Sequence, residues 1–490
     1  MTARPLARLF RPVRAALFAL AAGVPIVAAT SGFPQNLPDL GDVSQATMST
    51  QMERRLGESI MREIRADRRY RDDAEVTDYL GRLGARLVSS SPDARQGFEF
   101  FFIDDPTVNA FALPGGFIGV HAGLILTAQT ESELAAVLAH EIAHVTQRHI
   151  ARIVDAQSRT QIASLAALAL AILAARSNAQ VSQALIAGSQ AAGIQSLLDF
   201  TREHEREADR IGLQILEKAG FDVRSMPSLF ERMQRANRFY DTNAQSYLRT
   251  HPLTFERIAD VQNRIHDIAY RQVPDNPEYQ MVRAKLRSEA DAPRDTVAFF
   301  DDLIRERKYA SEAAARYGLV LALMRAKDLS RARAEFATLK AAMPANAMVD
   351  LLGVRIVLAA DGRRAGLDAF RRALADHPRH RPLVYEYADA LLAEGDAAAA
   401  LRIVDDQQQF QPGDVRLYLL QARAYAQQGK RFLQHRAQGE AYARQGNVPG
   451  AIEQLQLAQR AGDADFFQGS AVDARLRELK QIEAETRKKP

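Results

Sequence analysis

The chain has 490 residues, 47% hydrophobic and 25% charged, the balance of a soluble globular protein with room for roughly two to four domains. Its formal net charge of +4 comes from residues 1–29, where Arg4, Arg8, Arg11 and Arg14 face no acidic residue; without them Lys+Arg falls from 64 to 60 against 60 Asp+Glu. Charge therefore gives no support to nucleic-acid binding, and the absence of cysteine excludes disulfides and lipidation at cysteine, leaving stability to burial.

Residues 1–29 have the three parts of a secretory signal. Four arginines precede an apolar stretch, Ala15 to Ala29, which ends in the small residues Val27-Ala28-Ala29. The stretch contains Pro25 and is shorter than the ~20 residues that a spanning helix needs, so export to the bacterial periplasm with cleavage near Ala29 is expected. Residues 30–45, rich in Pro, Gly, Ser and Gln, are expected to run extended. Residues 48–88 carry a helical period, as in Met52, Leu56, Ile60 and Ile64. Phe98 to Ile103 reads as a strand, and Val108 to Leu113, Pro114-Gly115-Gly116 and Phe117 to Val120 read as strand, turn and strand.

A helix is expected from Thr130, an N-cap candidate with Glu133 three residues on, in a capping-box pattern. That helix carries His140-Glu141-Ile142-Ala143-His144, which reads H-E-x-x-H. Two histidines at i and i+4 are about 400° apart on an α-helix and project from one face, a spacing that suits two corners of a tetrahedral zinc site. Glu141 stands beside the first histidine, near enough to act on an attacking water. With 10 His in the chain, chance alone would produce the pattern in roughly 1 chain in 80, so it needs corroboration. His149 would lie about 900° beyond His140 on a continuous helix and is expected at the surface. Gln147 and Ile150 stand where a metzincin extension needs Gly and His, which excludes that class.

Downstream, Ile162 to Ala175 and Val181 to Leu198 are two apolar helical runs. They read as a packed hairpin or as a flap and peripheral membrane contact over 162–198. No segment after residue 29 is long enough to span a bilayer. In Thr201 to Gly212, Glu205 and Asp209 stand at i and i+4 and share a helical face, while Glu203 and Glu207 fall elsewhere. Glu205 can ligate zinc, and Asp209 can accept a ring N–H from a ligating histidine. His204 could compete as a ligand but lies about 100° away from Glu205.

From about residue 295 the chain repeats. Pro344, Pro378 and Pro412 are each 34 residues apart, and Phe336 and Phe370, Leu339 and Ala373, Gly366 and Ala400, and Gly395 and Gly429 keep the same spacing. Small residues at helix crossings and Pro after the second helix match the tetratricopeptide pattern, which predicts an α-solenoid with a concave surface for a polypeptide. A further unit with Tyr442, Gly446, Ala451 and Ala458 is displaced by 17 residues, which predicts an inserted helix near 430–440.

His140-Glu141-x-x-His144, the E-x-x-A-D pattern at 205–209, and Thr250-His251-Pro252 followed by Arg257-Ile258 together resemble the gluzincin family of the CAAX prenyl endoprotease and the heat-shock protease HtpX. The resemblance implies His140, His144 and Glu205 as ligands of one zinc ion, Glu141 as the catalytic base, and Asp209 as a catalytic-site residue that orients a ligand or donates a proton. His251 is either a turn residue or a residue that approaches the site, there to steady the tetrahedral intermediate or to be a regulatory fourth zinc contact that latches it. The whole arrangement is similar to periplasmic members of that family. It implies a mainly α (α+β) chain: signal peptide 1–29, zincin-like zinc metallopeptidase domain with a small sheet 30–271, linker 272–294 and tetratricopeptide solenoid 295–490. The expected substrates are unfolded or misassembled outer-membrane polypeptides, with the β-barrel assembly machinery as partner of the solenoid surface. The alternative is a chaperone or scaffold whose zinc site is latched.

Overall fold

A computed structural model describes residues 48–92, 97–156, 202–239 and 245–487. The expected signal peptide, the extended segment 30–45 and the apolar runs between 162 and 198 lie outside the described residues. The described residues belong to one compact unit, and no described helix is long and apolar enough to cross a membrane.

The helical stretch expected over 48–88 is two helices, α1 (Thr50–Ala66) and α2 (Ala74–Ser89). The break has a local cause: the chain turns extended at Asp67, and Asp73 restarts the helix by accepting the N–H groups of Glu75 and Val76 at 3.1 and 3.2 Å. Three strands follow, β1 (Glu99–Ile103), β2 (Ala110–Leu113) and β3 (Phe117–His121). Their order is β1-β3-β2, with β1 parallel and β2 antiparallel to β3, so β2 is an edge strand. Alternation sorts the faces. Phe101, Ile103, Phe111, Leu113 and Phe117 pack on Ile60, Met61 and Ile64 of α1, while Phe100, Phe102, Ile118 and Val120 join the larger core on the other side.

Next come α3 (Ala122–Thr127) and α4 (Glu131–Thr146), every residue of which is buried. Thr130 caps α4, its hydroxyl accepting the Glu133 N–H at 3.3 Å, and the Glu133 carboxylate reaches back one residue further, to the Gln129 N–H at 2.6 Å. A helix buried on all sides is the rigid centre of its domain, and here it carries the H-E-x-x-H motif. Around it stand α5 (His149–Ala156), α6 (Arg202–Lys218), α7 (Ser225–Phe239), α8 (Gln245–Thr250) and α9 (Phe255–Ile265). The α4–α6 crossing depends on Gly212, where an added Cβ would lie 3.1 Å from the main-chain nitrogen of His140.

The segment 272–294 contains a helix, α10 (Pro277–Ala290), whose Tyr279, Met281 and Val282 are fully buried. The Tyr279 hydroxyl donates to the carbonyl of Ala128 at 2.7 Å, just before α4. A tetratricopeptide-like helical solenoid follows as α11 (Pro293–Arg305), α12 (Glu312–Arg325), α13 (Leu329–Ala342), α14 (Ala347–Asp361), α15 (Arg363–Asp376), α16 (Arg381–Ala393), α17 (Ala397–Phe410), α18 (Val415–Gln427), α19 (Arg431–Arg444), α20 (Val448–Arg460) and α21 (Phe466–Arg487). Pro344, Pro378 and Pro412 fall just past α13, α15 and α17, where a residue without an N–H ends the second helix. The helix expected near 430–440 is present as α19. It begins and ends 34 residues after α17, in phase with the repeat. Gly439 lets α19 meet α20 closely, since an added Cβ there would lie 2.8 Å from Leu455.

One buried carboxylate ties the solenoid to the sheet-bearing part. Glu75 accepts from Lys285 of α10 at 2.6 Å, from Arg355 of α14 at 3.0 Å and from the Tyr317 hydroxyl of α12 at 3.1 Å. Burial pushes its pKa up, but Arg355 and Lys285 outweigh burial and bring it down to about 2. The folded value lies below the ordinary value near 4.5. The stabilisation is therefore complete above the ordinary value and is lost as pH falls through the folded one. Glu75→Gln is expected to cost about 3 kcal/mol in urea denaturation at neutral pH, with the gap to wild type closing between about pH 4.5 and 2. A gap that is absent or constant with pH would contradict this.

Candidate metal centre

Two helices and a turn build the site. His140 and His144 project from α4, one helical turn apart. Glu205 and Asp209 project from the face of α6 that Gly212 brings against α4. His251 follows α8, in the Thr250-His251-Pro252 turn. The Nε2 atoms of His140 and His144 are 3.0 Å apart. Glu205 Oε2 lies 3.4 Å from His140 Nε2, and Glu205 Oε1 lies 3.5 Å from His144 Nε2 and 3.1 Å from His251 Nδ1. One ligand atom from each of these four residues fits within 4.8 Å of all the others, and none of the four is more than 1% exposed.

Glu141 is fully buried beside this group, with Oε1 3.4 Å from His251 Nε2. Burial raises its pKa, against the opposing pull of His251 and His140. Asp209 stands behind the group, its Oδ1 3.0 Å from His140 Nδ1. Both its oxygens take hydrogen bonds from Arg257, at 2.7 and 2.8 Å. Burial would raise the Asp209 pKa, but Arg257 holds the carboxylate below its ordinary range. Arg257 Nη1 also lies 2.7 Å from Glu205 and donates to the Pro252 carbonyl at 2.9 Å. It thus binds both α6 carboxylates to the turn that carries His251. Arg257 is named by the sequence motif but given no role there; the signal for it is a lone arginine in the first turn of a helix capped by Thr254.

His149 is not at the surface. It is completely buried, with Nδ1 2.8 Å from His144 Nδ1 and Nε2 3.2 Å from Glu207. The projection along one continuous helix fails because α4 ends at Thr146 and Arg148 adopts a left-handed φ of 53°, uncommon for a residue with a Cβ. Arg148 is held there by a buried ion pair with Glu53 of α1, at 2.7 Å. The turn folds His149 back beneath His144, and its ring stacks on His204 at 4.5 Å. Burial lowers the pKa of both His144 and His149, which favours neutral rings. His204 itself is not among the four grouped residues. Tyr247 stacks on His251 at 4.7 Å, and its buried hydroxyl has no hydrogen bond among the described residues.

The model of peptidase family M48 matches residues 74–265. The chain is 32% identical over 478 residues to a putative beta-barrel assembly-enhancing protease of Vibrio cholerae, covering 96% of this chain and 97% of that one. The chain belongs to peptidase family M48. It is also 31% identical over 450 residues to the beta-barrel assembly-enhancing protease of Escherichia coli K12, covering 91% of this chain and 92% of that one. Over 219 residues it is 33% identical to the mitochondrial metalloendopeptidase OMA1 of Schizosaccharomyces pombe, covering 44% of this chain and 61% of that one.

Membership makes the chain a zinc metalloendopeptidase, and the residues present fit zinc. Three buried carboxylates, Glu141, Glu205 and Asp209, outnumber the single guanidinium of Arg257 by two charges when the imidazoles are neutral, and a divalent cation balances them. The same carboxylates favour a positive charge at His140: burial lowers its pKa, yet Asp209 and Glu205 bring it up to about 9. Imidazole and carboxylate are also the donor types that zinc takes in catalytic sites. Arg257→Met leaves two buried carboxylates without their partner and is expected to cost about 3–5 kcal/mol in denaturation of the zinc-free protein. A loss below about 1 kcal/mol, the level of an exposed pair, would contradict the role of Arg257.

Proposed function

We propose that the chain is a periplasmic zinc endopeptidase that hydrolyses unfolded or stalled outer-membrane polypeptides and assists β-barrel assembly. The observation that carries the reading is the fully buried Glu141 carboxylate beside a group of His140, His144 and Glu205 with ligand-atom spacing. His140, His144 and Glu205 would hold the zinc. When bound, zinc polarises the scissile carbonyl and acidifies the attacking water.

The chain's own residues do the rest. Glu141, with its pKa raised by burial, takes the proton from the attacking water and passes it to the leaving amine. Asp209 acts as a positioning residue. Arg257 keeps it ionised and it faces Nδ1 of His140, an arrangement that suits accepting the ring proton and does not suit donating one to substrate. The edge strand β2 offers main-chain hydrogen bonds to an extended substrate, and this mode selects extended polypeptide over sequence. Gly115 and Gly116 serve the turn, with φ of 78° and 88°, and an added Cβ at Gly115 would meet the backbone of Arg54 at 2.5 Å.

The solenoid would hold the client or the assembly machinery. Supporting this is a cavity of about 520 Å³ lined by Tyr418, Tyr425, Arg436, Glu440, Arg444 and Arg475, among others. The names of the bacterial relatives support the assembly role, and the secretory pattern of residues 1–29 supports the periplasm. A second reading is favoured by one observation. His251 Nδ1 lies 3.1 Å from Glu205 and its Nε2 lies 3.4 Å from Glu141, which supports a turn that takes the fourth position and latches the site at rest.

Glu141→Gln is expected to keep one zinc per chain and to lose client degradation by at least about 10²-fold, while help to β-barrel assembly persists. Undiminished degradation would refute the base assignment, and a wild-type protein without zinc would refute the enzyme reading. His251→Ala is expected to raise cleavage of casein or self-cleavage. If both stay at the wild-type rate, His251 is no latch.

A further inference from the structure

Helix α6 carries a third acidic side chain between the two already discussed. Asp209 meets His140 directly at Nδ1. His144, the other histidine of the motif, is met at Nδ1 by His149, and His149 is met at Nε2 by Glu207 of α6. Glu207 also accepts from Arg152 of α5 at 2.8 Å. Each ring in this chain has one nitrogen to give a proton and one to receive it.

We infer that His149 and Glu207 are positioning residues for the metal centre, fixing His144 in the tautomer whose Nε2 is free for the metal. The inference rests on His144 being a ligand. The hydrogen-bond directions follow from that role. To present Nε2 as a lone pair, neutral His144 must carry its proton on Nδ1 and needs an acceptor there. The His149 Nδ1 atom, 2.8 Å away, is that acceptor, so its own proton sits on Nε2 and is donated to the Glu207 carboxylate at 3.2 Å. The two ligand histidines are thus both held from α6, His140 by Asp209 at first hand and His144 by Glu207 through one intervening ring. The Arg148 turn, pinned by Glu53, makes this geometry available.

The test is zinc affinity of the purified full chain, read by competition with a chromogenic chelator, alongside the melting temperature of the zinc-free protein. His149→Phe keeps a ring against His204 and removes the acceptor. His149→Asn places an oxygen where Nδ1 stands, two bonds beyond Cβ. The expected result is a 10- to 100-fold loss of affinity for His149→Phe, a return to within severalfold of wild type for His149→Asn, and a larger loss for His144→Ala. Glu207→Ala, which alters a half-buried side chain, is expected to weaken zinc binding less than His149→Phe does, and it keeps the test open if the latter does not fold. Wild-type affinity in both His149→Phe and Glu207→Ala, with His144→Ala impaired, would overturn the inference and leave the ligand set standing. Equal losses for Phe and Asn would also overturn it, since packing of the ring would then be the cause. Unchanged affinity in His144→Ala would refute the ligand reading and the inference with it.

Discussion

The structure depends on a charge imbalance placed where water cannot relieve it. Glu141, Glu205 and Asp209 are all buried, and one guanidinium, that of Arg257, is paired with two of them. Isolated buried carboxylates are costly, and partial pairing does not remove the cost. The site therefore favours cations, and its ring nitrogens and carboxylate oxygens suit zinc. Binding and folding are coupled by this demand, because the metal neutralises charge that the core would otherwise have to carry.

Holding such a group together takes a scaffold that cannot slide. α4 is buried along its whole length, and α6 approaches it to backbone contact at Gly212. Arg257 then joins the α6 carboxylates to the carbonyl of Pro252, so the His251 turn and the helix supplying Glu205 are held by one side chain. Further out, Tyr279 of α10 is bonded to Ala128, two residues before the cap of α4, and Glu75 is bonded to α10, α12 and α14. The first solenoid helices thus share a core with the peptidase part. A partner pulling on the solenoid would act on the same packed body that positions the ligands, not through a loose tether.

Much of this was legible in the residues, because it rests on local periodicities. The i, i+4 spacing of His140 and His144 and of Glu205 and Asp209 predicts shared faces, and both pairs meet as expected. The capping pattern at Thr130 marks where α4 begins, and three prolines at a 34-residue spacing mark the ends of α13, α15 and α17. What was not legible depends on breaks in periodicity and on distant partners. His149 was assigned to the wrong side because nothing near Arg148 announces a left-handed turn; its cause is Glu53, 95 residues earlier. Glu207, off the face shared by Glu205 and Asp209, gains its partner His149 only through that turn. Glu75 gave no signal, since a single glutamate in a helix's first turn is ordinary.

The most direct measurement is anomalous diffraction at the zinc absorption edge from crystals of the purified chain. The account predicts a single strong peak about 2 Å from Nε2 of His140, Nε2 of His144 and a carboxylate oxygen of Glu205, with Asp209 outside ligand distance. A peak that lies elsewhere, or no peak from protein grown with zinc, would contradict it.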